Sequence, residues 1–144
     1  MFRKMGCYCM PLSGYTPEDV VRYRLGKARD CLQDAKMPGV SFQTAANRSY
    51  YCIFSAMRAI LALDRFDSKK HSGIIAAFRK DYIRTGVFPA DFSDIIKNAF
   101  DIRLDSDYED FYLISKVEVA AQVKNAEIFL EAVEKYVGER IQSQ

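Results

Sequence analysis

Near the C-terminus, Val119, Val123, Ala126, Leu130, Val133 and Val137 recur at intervals of 4, 3, 4, 3 and 4 residues. A helix turns about 100° per residue, so this spacing draws one straight apolar stripe. So regular a stripe is stable only when other helices cover it, as in bundles of near-antiparallel rods. The chain offers no sheet instead: no segment keeps strict apolar–polar alternation, and neither Asn-Gly nor Asp-Gly occurs.

Four further helices read out of the same pattern. The first opens with Thr16 as N-cap, Pro17 at the first helical position and acids at 18 and 19, and stops at Pro38-Gly39. The second spans about Ser41 to Asp64. It carries two adjoining apolar stripes, Ala46–Tyr50–Ile53–Met57–Ile60 and Ser49–Cys52–Ala56–Ala59–Leu63, so it needs neighbours on more than one side. A third is predicted over Ser68 to Arg84, ending near Gly86. The fourth follows Pro89, with Asp91 as its cap, and runs towards Asp107. The fifth opens on a Ser115/Glu118 capping box and stops at Gly138. The expectation is an all-α antiparallel bundle of four to five helices over residues 16–138, with a loose tail at 1–15 and another at 139–144.

The chain's 144 residues, 49% apolar and 28% charged, suit one soluble domain with a real core. No apolar run approaches the ~20 residues of a membrane span, and the N-terminus lacks the apolar centre of a secretory signal. The cytoplasm is therefore the expected compartment, with Cys7, Cys9, Cys31 and Cys52 as free thiols. C-x-C is not the zinc or redox spacing, and one histidine, His71, is too few to complete a metal site, so no metal and no cofactor are expected. A net charge of +2 does not by itself argue for nucleic acid. Its distribution is uneven: residues 65–90 hold six Lys/Arg against two Asp, and residues 91–112 hold two against seven acids.

One residue breaks the sorting of charges. Phe92, Ile96, Ala99 and Phe100 share a face of the fourth helix, and Arg103 falls about 20° from its first member. Asp94, Asp101 and Asp105 point the other way. Asp107, four residues on, is the natural ion-pair partner. Phosphate-loop glycine patterns and Glu-x-x-His pairs are missing. The candidates for chemistry are thus the polar residues set inside helices: Asn47, Arg48, Arg58 and Arg103.

The segments "AANRSYYCIFSAMRAILAL" (45–63), "KKHSGIIAAF" (69–78), "RTG" (84–86) and "IRLDSDY" (102–108) resemble, in order and spacing, the HEPN domains. The likeness extends over roughly residues 17 to 138. It implies a helical bundle that usually dimerises. Many such proteins are metal-independent ribonucleases whose Arg, followed after four to six residues by His, lies where two protomers meet. Others are paired with a minimal nucleotidyltransferase in a toxin–antitoxin module. Arg103 takes the arginine position, but after four intervening residues the chain has Tyr108, not histidine.

That departure bears on function, because a phenol with pKa about 10 is a poor base where an imidazole near 6.5 is a good one. The acids around Arg103 would also repel phosphate. The preferred expectation is a binding protein, a homodimer engaging a nucleotidyltransferase or a nucleotide at a dimer-interface site. The alternative is a metal-independent endoribonuclease toxin with Arg103, Asp107 and Tyr108 as catalytic candidates. Asn47, Arg48, Tyr51 and His71 are binding candidates in either case. Structural roles stand beside these: an Arg103–Asp107 pair that fixes register, Asn47 and Arg48 bonding between helices, and His71 as a cap.

Overall fold

The computed structural model describes residues 7–9 and 14–143. They form β1 (Cys7–Cys9), α1 (Pro17–Ala35), α2 (Phe42–Leu63), β2 (Phe66–Ser68), α3 (His71–Phe78), α4 (Asp91–Tyr108) and α5 (Lys116–Gln142). The bundle is all-α apart from a small antiparallel ladder that pairs Cys7 with Ser68 and Cys9 with Phe66. The N-terminal tail falls largely outside the described residues. Within them, Cys7–Cys9 is held as a strand instead of hanging loose.

Local chemistry starts most of the helices. Thr16 and Asp19 close a reciprocal capping box, as do Ser115 and Glu118, and the Ser41 hydroxyl accepts from the Thr44 N–H. α4 departs from expectation. Ala90, not Asp91, is its cap and makes no side-chain bond, so Asp91 acts only through its charge in the first turn.

α2 is the central rod. Tyr50, Ile53, Met57 and Ile60 are fully buried on one stripe, and Cys52, Ala56 and Ala59 on the next. α1 and α5 pack along it on one side, α3 and α4 on the other. Ion pairs tie α1 to α5, Arg29 with Glu134 and Lys36 with Glu127. Phe78, Phe88, Phe92 and Phe129 fill the far end, with ring centroids 5.0–5.6 Å apart.

Two boundaries differ from the sequence reading. The third helix, expected from Ser68, starts late: β2 takes Phe66–Ser68, α3 begins at His71, and a π turn, Arg79–Ile83, follows. Asp67 explains the late start. Its carboxylate, 3% exposed, accepts from Arg24 at 3.0 Å and Arg58 at 2.9 Å, which fixes an extended segment against α1 and α2. α5 runs through Gly138 to Gln142, because Arg140 donates to Asp64 (2.6 Å) and Tyr82 (2.7 Å) and so holds the last turn in place. Gly138 has an ordinary helical φ; the left-handed glycines are at the turns, Gly39 and Gly86 among them.

Candidate functional site

The first half of α2 sets Thr44, Asn47, Arg48 and Tyr51 along one face, at helical spacings of three and four residues. The last half of α4 and the first residue of α3 close over that face. There Arg103 and His71 arrive beside the adjacent tyrosines of α2.

Arg103 turns inward as its wheel position requires; its side chain is 16% exposed. Its guanidinium carbon lies 5.3 Å from the ring centre of Tyr50 and 5.4 Å from that of Tyr51. Such cation–π contacts contribute about 0.5–2 kcal/mol. Asp107 approaches Nε to 3.3 Å, but off the line of the N–H, so Nε is buried without a hydrogen bond. Among the described residues no acceptor takes any of its five donors. A mostly buried guanidinium in that state is incomplete.

His71 stands at the start of α3, stacked on Phe54 with ring centres 4.0 Å apart. Its Nδ1 is 2.7 Å from the hydroxyl of Tyr50. Burial pushes that phenol well above its ordinary range, so it stays protonated and can either donate to Nδ1 or accept from Nδ1–H, according to the imidazole tautomer. Burial, and then the charges of Arg103 and Arg58, hold His71 below its usual pKa, so the ring is neutral at pH 7.

Arg48 is engaged at all three nitrogens. It donates to the side-chain Oδ1 of Asn47 through Nε (3.2 Å) and Nη2 (2.8 Å), reaches the Cys31 sulfur through Nη1 (3.7 Å) and covers the Tyr51 ring at 5.4 Å. Tyr51 is thus a half-buried ring bearing two guanidinium groups. An open polar cleft of about 460 Å³ runs beside it, lined by Gln43, Thr44, Asn47, Arg48, Ser106 and Asp107.

Six of the seven predicted site residues therefore come together: Arg103, Asp107, Asn47, Arg48, Tyr51 and His71. Tyr108 does not join them. It is 72% exposed at the end of α4, as five residues of helix, about 140°, dictate. Sequence reasoning placed Tyr50 in the core and missed its role as the link between His71 and α2. The one available signal is that a buried phenol needs a polar partner. Arg58 belongs to the Asp67 ion triad, away from the cleft. Cys31 and Cys52 are buried free thiols; the side chains of Cys7 and Cys9 lie outside the described residues. Among the described residues no cluster of three His, Cys, Asp or Glu could hold a metal, and no helix is long and apolar enough to cross a membrane.

Residues 21–136 match the family model for the HEPN domain, and the chain belongs to that family. It is 31% identical over 122 residues to a "UPF0332 protein" of Thermotoga maritima, covering 83% of this chain and 92% of that one. An Archaeoglobus fulgidus "UPF0332 protein" is 32% identical over 83% of this chain and 96% of its own. "Putative toxin MJ0142" of Methanocaldococcus jannaschii is 30% identical over 67% of this chain and 65% of its own.

Proposed function

We propose that this protein is the HEPN component of a toxin–antitoxin-like module, acting in the cytoplasm, and that the Arg103 cleft holds a phosphate of an RNA strand or nucleotide. The observation that carries this reading is the Arg103 guanidinium, inward-facing yet without a hydrogen-bond acceptor. A phosphate offers the bidentate acceptors that a guanidinium fork matches. The Tyr51 ring carries both Arg48 and Arg103, so two cations gather where the anion would sit. Asp107 partly opposes phosphate; its off-line contact leaves it free to swing away when the anion arrives. Binding of a labelled unstructured RNA and of ADP to the full chain is the test. Arg103→Gln should lower affinity at least about tenfold, by loss of charge-assisted hydrogen bonds. Equal binding by the variant would remove the reading.

His71 favours a second step, cleavage of the bound RNA. An imidazole, absent from the expected place on α4, is delivered by α3 to the Tyr50–Tyr51 pair on which the Arg103 guanidinium also lies. Neutral at pH 7, it can take the proton of a 2′-hydroxyl at Nε2 in the tautomer whose Nδ1–H donates to the Tyr50 hydroxyl. Arg103 would stabilise the charge on the phosphate in the transition state. RNA cleavage that persists in EDTA and disappears in His71→Gln supports this; intact RNA under excess protein rules it out.

The exposed stretch after α4 supports assembly as a homodimer. Phe111 is 99% exposed at a φ of 62°, and Leu113 and Val117 are 90% and 79% exposed. A phenylalanine in left-handed backbone, buried by nothing in its own chain, is costly unless a second surface covers it. A nucleotidyltransferase, the partner implied by the family resemblance, is tested by co-purification with the product of the adjacent gene.

A further inference from the structure

One cavity lies outside the cleft just described. Between α3 and α4 a groove of about 250 Å³ has walls of Ile75, Ala76, Ile96 and Phe100, with Arg79 and Lys97 at its rim. Ser72, the neighbour of His71, closes one end. Phe100 lies between the groove and Arg103, since its ring is 5.9 Å from that of Tyr50, against which the Arg103 guanidinium rests. Along α4 the groove and the polar cleft lie on either side of Arg103. Phe100 and Asp107 are seven residues apart, about 10 Å along the axis.

The rim carries two cations, one of them ion-paired. Arg79 gives Nη2 to the Ser93 carbonyl at 3.2 Å, while its Nε is buried with no hydrogen-bond partner among the described residues. Lys97 stands close enough for the Arg79 charge to oppose its own. Its acceptor is Asp101, at 2.7 Å on the exposed side of α4, and Asp94 is the other acid near it. Two cations meet above an apolar floor, and one of them has a buried donor left over.

We infer that the α3–α4 groove is a second nucleotide subsite. It takes the unpaired base of an RNA nucleotide next to the phosphate held at Arg103, with that nucleotide's own phosphate on Arg79 and Lys97. This rests on the reading of the Arg103 cleft and adds a direction to it: the strand runs along α4 across Arg103. A base has an apolar face whatever its identity, so the flat wall of Phe100 and Ile75 accepts it by stacking and contact, without choosing a sequence. Duplex RNA cannot enter, because its bases are not free to leave the stack.

Fluorescence anisotropy with unstructured, fluorescein-labelled oligo-uridine and the full chain tests it. Ala76→Trp, which fills the groove from an exposed position of α3, is expected to weaken binding about tenfold, the loss of one stacked base. Lys97→Gln, whose side chain supports no backbone contact, should lower both the affinity and its salt dependence. An abasic oligonucleotide separates the two contacts: Ala76→Trp should leave its weaker binding unchanged, and Lys97→Gln should still reduce it. Unchanged melting temperatures show that the variants are folded. If both variants bind oligo-uridine like the unaltered protein while Arg103→Gln does not, the groove is no subsite and the cleft reading survives. If the unaltered protein binds no RNA, both are overturned.

Discussion

At the scale of single residues, His71 is the informative group. It is the only histidine, so no other side chain ordinarily titrates near pH 6.5. Its pKa is lowered in the fold, by burial first and by Arg103 and Arg58 next. The unfolded chain therefore binds more protons below about pH 6.5 than the native one, and stability must fall as pH drops through that region. Above it, the contribution is fully present. Thermal melts between about pH 7.5 and 5.5 should show a decline that is shallower in His71→Gln. An equal decline in both proteins would mean that the ring is not perturbed. The inward turn of Arg103 is legible in the sequence, because helical geometry alone puts it on the buried stripe. Its unused donors are not, since hydrogen bonding depends on what the other helices bring.

Among the elements, β2 is where sequence reasoning slipped. The third helix is expected from Ser68 because nothing local forbids one there; the buried ion pairs of Asp67 with α1 and α2 hold Ser68 in a strand instead. Burial would push Asp67 up, but hydrogen bonds from Arg58, the charge of Arg24 and the Ser68 N–H outweigh it and hold the carboxyl below its ordinary range. Asp67→Ala leaves two partly buried arginines without their acceptor. It should destabilise the fold by about 3 kcal/mol, a loss measurable by urea unfolding. α5 is the second case. A glycine usually signals a helix end, but Gly138 is interior, its φ is ordinary, and a methyl group added there meets nothing within 4 Å. Gly138→Ala should stabilise by about 0.5–1 kcal/mol, seen as a raised melting temperature.

For the molecule as a whole, the open question is its surface. The link from α4 to α5 packs Ile114 and Tyr112 over the start of α2, yet leaves Phe111 and Leu113 in solvent beside the Asp107 end of the cleft. On the dimer reading, Phe111→Asp with Leu113→Asp should halve the mass seen in sedimentation without lowering the melting temperature, because neither residue is buried within one chain. Should the site need both copies, the same variant would also lose RNA binding.

The sequence by itself determined the number of helices, most of their starts, the central place of α2 and the inward turn of Arg103. Those follow from periodicity and from caps, which act within a few residues. The family followed too, from several short motifs kept in order. Only the tertiary structure decided that His71, thirty-two positions before Arg103, shares its tyrosine pair, that Asp67 delays the start of the third helix, and that Arg140 carries α5 past its glycine. Each is a contact between groups distant along the chain, and packing, not spacing, chooses such partners.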